Sequence, residues 1–111
     1  MATLIRMAAR RARTGLIHFE RHELTQLLTL YAARVAGGEW RDYAIDLEPD
    51  RAVFSIFRHT QERPVFTITK SASGRYDDGW TVTAGGRELA RSASLTDILA
   101  TLERKPRLAP S

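Results

Sequence analysis

The sequence predicts an α+β domain in which a helix, a meandering antiparallel sheet of four or five strands and a second helix follow in that order. Apolar residues recur every three or four positions between residues 20 and 36, as in a helix that buries one side. From residue 43 the apolar period falls to two and turn pairs interrupt it, as in strands joined by hairpins. A helical period returns after residue 94. Each element has a single apolar side, so we expect both helices to cover the same face of the sheet.

The first helix is predicted from about Glu20 to Ala36. Gly37 and Gly38 end it, because glycine adopts the left-handed conformation that closes a helix without a Cβ clash. Leu30 falls outside the apolar stripe, so we expect it to be partly exposed, and we place Arg34 on the solvent side. The stripe itself contains Leu24, Leu27, Leu28, Tyr31 and Val35.

The first hairpin turns at Pro49 and Asp50. Proline presets φ for the first corner of a turn, and aspartate can bond back to its own backbone. A two-residue loop puts Tyr43, Ile45 and Leu47 on the same face as their apolar partners in the second strand, whereas a shift of one residue would invert that arrangement. The predicted pairs are Glu48 with Arg51, Leu47 with Ala52, Ile45 with Phe54, and Tyr43 with Ile56.

Two further strands are predicted from Pro64 to Thr69 and from Trp80 to Ala84, with a loop rich in glycine, serine and aspartate between them. Gly85-Gly86 forms a two-residue turn into a last strand. The pairs that this turn predicts are Val82 with Leu89 and Thr83 with Glu88.

The final helix begins after Ser94, which is followed by Asp97 as in a capping box. Packing both helices on one sheet face gives a single shared core. Its predicted members are Leu24, Leu27, Leu28, Tyr31, Tyr43, Ile45, Phe54, Ile56, Phe66, Ile68, Trp80, Val82, Leu95, Ile98 and Leu102.

The length of 111 residues predicts one domain. We expect a flexible basic N-terminal leader at 1–16, a single α+β domain at 17–104 and a basic tail at 105–111. The chain has no cysteine, which excludes disulfides and thiol catalysis. It also has no apolar run of the roughly 18–20 residues that cross a bilayer, so a cytoplasmic setting is expected.

Positive charge is concentrated at the two ends of the chain. The net charge is +4, but residues 18–103 contain 10 basic and 13 acidic residues, a formal charge of −3. The ends are therefore the candidate nucleic-acid-binding segments. Their basic residues are Arg6, Arg10, Arg11, Arg13, Arg104, Lys105 and Arg107.

No motif for catalysis, a cofactor or a metal stands out. His18 and His22 are four residues apart, but the HExxH pattern is absent and His18 is expected to precede the helix. Asp42, Asp46 and Glu48 lie near arginines, which favours a salt-bridged outer surface over acid–base work. We therefore expect a protein that is not an enzyme, with no cofactor and no metal.

The sheet face opposite the helices, which we call the open face, is neutral and β-branched near its centre. A solvated face usually carries more lysine and glutamate, so this face is a candidate surface for a protein partner or a second copy. A threonine-rich face that simply tolerates water is an equal alternative. The candidate partner-binding residues are Val53, Phe57, Val65, Thr67, Thr81 and Thr83, beside Ala44, Ser55 and Thr69.

The block GEWRDYAID, residues 38–46, resembles the small bacterial family called domain of unknown function 2794. Further resembling residues lie at 19–21, 23–24, 31, 35–36 and 50–55, and the similarity covers about residues 19–104. The resemblance implies a compact stand-alone domain in the cytoplasm and transfers no catalytic residue. Structure alone can account for the block, since Trp40 can close the core beside the end of the helix while Arg41 favours the helix carbonyl dipoles.

These observations predict a small non-enzymatic module for protein interaction or self-association. The alternative is a regulatory protein that binds nucleic acid through its basic ends. Sequence-specific readout is the less favoured form of that alternative, because no helix presents several arginines, asparagines or glutamines on one exposed side.

Overall fold

A computed structural model describes residues 16–59, 63–71 and 79–104. Along the chain it contains a helix, a five-stranded antiparallel sheet and a second helix, which confirms the predicted α+β class and element order. The elements are α1 (Arg21–Ala36), β1 (Asp42–Leu47), β2 (Arg51–Phe57), β3 (Phe66–Ser71), β4 (Trp80–Ala84), β5 (Arg87–Ser92) and α2 (Leu95–Arg104).

The five strands lie in chain order, β1-β2-β3-β4-β5, so the sheet is an antiparallel meander. The buried strand residues Phe54, Ile68 and Val82 cluster with Leu27 of α1 and Ile98 of α2. Both helices therefore cover the same face of the sheet, as predicted.

The first hairpin has the predicted register. Leu47 pairs with Ala52 and the other apolar pairs follow in step. At the turn, the Glu48 N–H donates to the Arg51 carbonyl at 2.8 Å, and the Arg51 guanidinium pairs with the Glu48 carboxylate at 3.0 Å. The period-two pattern and the turn pair were thus sufficient to place every residue of this ribbon.

The second hairpin contains an irregularity that the sequence did not predict. Thr83 pairs with Glu88 as expected, but Val82 pairs with Ala90 and not with Leu89. Leu89 is the extra residue, and it forms a β-bulge between the two pairs. It places Leu89 and Ala90 side by side against the core.

The core differs from the prediction in both directions. Tyr43 and Ile45, predicted to be core residues, each remain 38% exposed. Leu30, predicted to be partly exposed, is buried. Residues that the prediction missed are also buried, among them Phe19, whose ring stacks on Trp80 with centroids 6.1 Å apart.

The helices are placed off-centre over the sheet. α2 packs against β4 and β5, and α1 lies beside α2. Over the first strand, the ring of Tyr31 meets that of Tyr43 at a centroid distance of 4.9 Å. The helical layer therefore covers the middle and the β5 side of the sheet and leaves β1 at its margin.

Within the described ranges, neither helix is long and apolar enough to cross a membrane. The predicted leader, except for Leu16, and the predicted tail lie outside those ranges. The predicted loop between β3 and β4 lies mostly outside them as well.

Candidate interaction surfaces

The open face carries five of the six candidate partner-binding residues, whereas Val65 packs against the core and was wrongly assigned to this face. Register places Ser55, Thr67 and Thr83 in one row across β2, β3 and β4, and the Thr67 and Thr83 hydroxyls are hydrogen-bonded to each other. A second row contains Val53, Thr69 and Thr81, while Phe57 lies at the end of β2. Among the described residues, no helix lies over this face. The five candidates on this face are half-buried.

Charges lie at the two sides of the open face and not at its centre. On β1 this face carries Asp46, and on β5 it carries an ion pair between Arg91 and Glu88 at 2.8 Å. The hydrogen bond from Arg91 lowers the pKa of Glu88, and the hydrogen bond to Glu48 raises the pKa of Arg51. The middle of the face is accordingly uncharged, between rims that hold acids and paired charges.

The largest exposed apolar side chains lie elsewhere, along β1. Tyr43, Ile45 and Leu47 point toward the helix side of the sheet and are 38–40% exposed. Leu16, just before α1, is exposed to a similar extent. Sequence reasoning missed this surface because it assigned Tyr43 and Ile45 to the core. The available signal was β1's position at the edge of a meander, where a helix layer gives the least cover.

The backbone of β1 also has an unpaired side among the described strands. Since Glu48 donates to Arg51, hydrogen-bonded and non-hydrogen-bonded pairs alternate from there along the ribbon. The alternation turns the N–H and C=O groups of Tyr43, Ile45 and Leu47 away from β2. The Tyr43 N–H is satisfied by the Asp42 carboxylate at 2.8 Å, as expected for a group on the outer side.

The opposite edge of the sheet is protected. β5 has the sequence RELARS, with charged side chains at Arg87, Glu88 and Arg91, and it contains the bulge. Charged residues and bulges are the features by which edge strands avoid pairing with other chains. β1 lacks a bulge within its paired register and presents apolar side chains at alternate positions.

The GEWRDYAID block has a structural role at the end of α1. Trp40 is buried against Tyr31 and Phe66, at centroid distances of 6.2 and 6.0 Å. The Arg34 guanidinium lies 5.3 Å from the centre of the Trp40 ring and pairs with Glu39 at 3.4 Å. Arg34 also donates to the Leu102 carbonyl of α2 at 3.0 Å. The prediction that placed Arg34 on the solvent side was therefore wrong.

At the other end of α1, Lys70 ties β3 to the helix. Its Nζ contacts the Glu23 carboxylate at 2.7 Å and the His18 carbonyl at 3.0 Å, and it lies 5.9 Å from the Trp80 ring. Glu23 also accepts from the Glu20 N–H in a capping box. This cluster closes the core at the start of α1.

His18 precedes α1 and His22 lies within it, so the two do not share a helical face. In the part of the chain that the structure describes, no three histidine or acidic side chains come together as metal ligands would. An open cleft beside the end of α1 is lined by Val35, Gly38, Trp40, Arg41, Arg58 and His59.

Six of the seven candidate nucleic-acid-binding residues lie outside the described residues. They are Arg6, Arg10, Arg11, Arg13, Lys105 and Arg107. Arg104 is the last residue of α2.

The comparisons with known proteins extend the sequence resemblance. Residues 17–99 match the family described as protein of unknown function (DUF2794). No curated protein and no solved structure matches the chain significantly. The matched region spans every element from α1 to the middle of α2, and with it the open face and the exposed side of β1. The chain therefore belongs to the DUF2794 family.

Proposed function

We propose that this chain is a small non-enzymatic interaction module and that the open face of its sheet binds a second copy of the chain. The single observation that carries the proposal is the uncharged centre of that face, where β2, β3 and β4 present valine, threonine and phenylalanine side chains. The sequence offers no nucleophile, base or cofactor motif that would favour a catalytic role. A bacterial cytoplasmic setting is part of the same proposal and rests on the sequence and the family resemblance.

Electrostatics favours a second copy as the occupant. The formal charge of residues 18–103 is −3, so two such bodies repel each other at most orientations. The centre of the open face is uncharged, and two copies can approach there without placing like charges opposite each other. Two sheets can then pack face to face at the usual separation of about 10 Å.

The size of the face limits the affinity. Five strands at about 4.8 Å spacing and about 20 Å of strand length give a flat area of roughly 480 Å² per copy. Stable interfaces bury about 800 Å² per partner, so the association belongs at the weak end of specific complexes. A concentration-dependent equilibrium between monomer and dimer is the expected behaviour.

The test compares the full chain with its Phe57→Glu variant by light scattering over a concentration series. We expect the average mass of the unmodified chain to rise toward twice the monomer mass, and Phe57→Glu to weaken association by about tenfold or more, because it buries a charge at the interface. Thr29→Glu, on the exposed side of α1, carries the same charge change and should dimerise normally. A monomer at every concentration, or equal weakening by both substitutions, would refute the proposal.

A second candidate function is nucleic-acid binding through the ends of the chain. Seven basic residues and no acidic residue lie in 1–17 and 104–111, which supports contacts to phosphates. Each phosphate contact changes the slope of log K against log salt by about −0.9 on duplex DNA.

Deletion of residues 1–16 removes four arginines, so the slope should become shallower by about 3–4. The measurement is fluorescence anisotropy with a labelled duplex from low to moderate salt. Equal affinity and slope after the deletion would dispose of a role for the leader.

A further inference from the structure

β1 has an unpaired outer edge among the described strands and three exposed apolar side chains beside it, Tyr43, Ile45 and Leu47. We propose that residues 4–10 of the same chain, which lie outside the described residues, pair with this edge as an additional strand. This inference concerns a different surface from the open face and does not depend on self-association.

Backbone geometry provides the first reason. The N–H and C=O groups of Ile45 and Leu47 point away from β2, and no other described residue bonds them. An extended segment placed alongside can exchange hydrogen bonds with both residues, which is the main source of affinity in strand addition. It also adds cover to the apolar side chains that the helices leave exposed.

The side chains of the leader match the two sides of β1. One side of this strand is apolar, and the other carries Asp42 and Asp46 beside Glu48. An extended segment that fits both sides alternates apolar with basic residues. In residues 4–10, Ile5, Met7 and Ala9 alternate with Arg6, Ala8 and Arg10.

A second copy of β1 fits the same edge poorly. If Ile45 lay opposite Ile45 of the copy in an antiparallel pair, Asp42 would lie opposite Glu48, and the acidic side chains of both strands would share one side of the ribbon. Like charges directly opposite each other destabilise a strand pair. The charge pattern of β1 therefore favours a basic segment over self-pairing.

The tether favours the leader over a separate basic peptide. The Ile17 N–H donates to the Glu48 carbonyl at 2.9 Å, which places the start of the described chain at one end of β1. Residues 11–16 can span up to about 20 Å, which is about the length of a six-residue strand. The segment can thus reach all of β1, at an effective concentration on the order of millimolar.

Amide hydrogen exchange on the full chain is the first test. We expect the Ile45 and Leu47 amides to exchange about tenfold more slowly than in a chain that lacks residues 1–15, at every protein concentration. In the full chain, Arg6→Glu with Arg10→Glu should remove this protection, whereas Arg11→Glu with Arg13→Glu should not. Unprotected amides in the full chain, protection that appears only at high protein concentration, or equal effects of both double substitutions would each overturn the inference.

Cross-linking gives an independent readout, since the chain has no natural cysteine. Met7→Cys combined with Ile45→Cys should form an intramolecular disulfide at least about tenfold faster than Met7→Cys combined with Thr69→Cys on the open face. Both target positions are accessible to solvent, so neither substitution should prevent folding. Equal rates would show that the leader samples both faces without binding to β1.

The outcomes separate the inference from the proposed function. Phe57→Glu should weaken dimerisation and leave the protection of Ile45 unchanged. If nucleic acid is the real target of the leader, duplex DNA should bind without any protection of β1 in the free chain, and that result would also overturn the inference.

Discussion

Arg34→Ala is the substitution that most directly tests how the two helices are joined. The Arg34 side chain is 18% exposed and connects α1 with α2 through its hydrogen bond to the Leu102 carbonyl. That carbonyl lies in the last turn of α2, where no N–H group of the helix is positioned to donate to it. Leu102 is fully buried, so removal of the guanidinium leaves its carbonyl without the Arg34 donor in a place that water reaches poorly.

Three contacts of the Arg34 side chain contribute to the expected loss in the free energy of unfolding. The charged hydrogen bond to Leu102 contributes about 1.5 kcal/mol or more. The approach of the guanidinium to Trp40 contributes about 0.5–1 kcal/mol. The ion pair with Glu39 is long at 3.4 Å and partly exposed, and adds at most about 0.5 kcal/mol. Because the contacts share one side chain, we expect Arg34→Ala to lower the free energy of unfolding by about 2 kcal/mol.

Urea unfolding followed by circular dichroism measures this loss as a fall in the midpoint at constant slope. Arg34→Lys keeps the charge but not the planar group, and should lose about half as much. Arg21→Ala, at the exposed start of α1, is the matched control and should cost less than about 0.5 kcal/mol. If Arg34→Ala were as mild as Arg21→Ala, Arg34 would not be the residue that joins the helices.

Three further predictions concern the edge of the sheet, the cap of α2 and alkaline pH. Ile56→Ala, at a fully buried site, should destabilise the chain by about 2–5 kcal/mol, and Ile45→Ala by less than about 1 kcal/mol; similar urea midpoints for the two variants would contradict the exposure of β1. Ser94→Ala removes the hydroxyl that accepts from the Asp97 N–H at 3.3 Å and should cost about 1 kcal/mol, whereas Thr96→Ala on the exposed side should be nearly neutral. Burial raises the pKa of the Tyr31 hydroxyl above its usual value of 10.0. The unfolded chain therefore loses this proton first, and the free energy of unfolding falls as the pH rises past that value. Tyr31→Phe should make the thermal midpoint decline less steeply at alkaline pH, and an unchanged decline would count against this cause.

Much of the fold could be predicted because local signals agreed with one another. In the first hairpin, the period of two and the turn at Pro49 favour the same register, and a shift by one residue would have exposed Phe54. At Ser94, the capping residue and the apolar stripe after it identify the same helix start. Where two independent sequence patterns agree, they predict the register or the helix start without knowledge of the tertiary packing.

The errors arose where burial depends on a distant element. Alternation shows which side of a strand a residue faces, but the exposure of Ile45 depends on how far α1 extends over β1. Leu30 lies off the stripe of α1 and is nevertheless buried. A helix that packs against both a sheet and a neighbouring helix buries more than one narrow stripe. No pattern within a single segment contains this information.

The two edge strands of the sheet differ in how well their sequences predict whether another strand can pair with them. The charges of Arg87, Glu88 and Arg91 make β5 unsuitable for strand addition, and the sequence alone shows these charges. β1 looks like an ordinary core-facing strand by the same criteria, because its apolar residues alternate correctly. Its interaction potential arises because the helices cover β1 only at their margin and because the backbone groups of Ile45 and Leu47 face away from β2. β1 thus combines exposed apolar side chains with backbone N–H and C=O groups that have no partner among the described strands. In this meander the first strand is therefore the place to test for a partner.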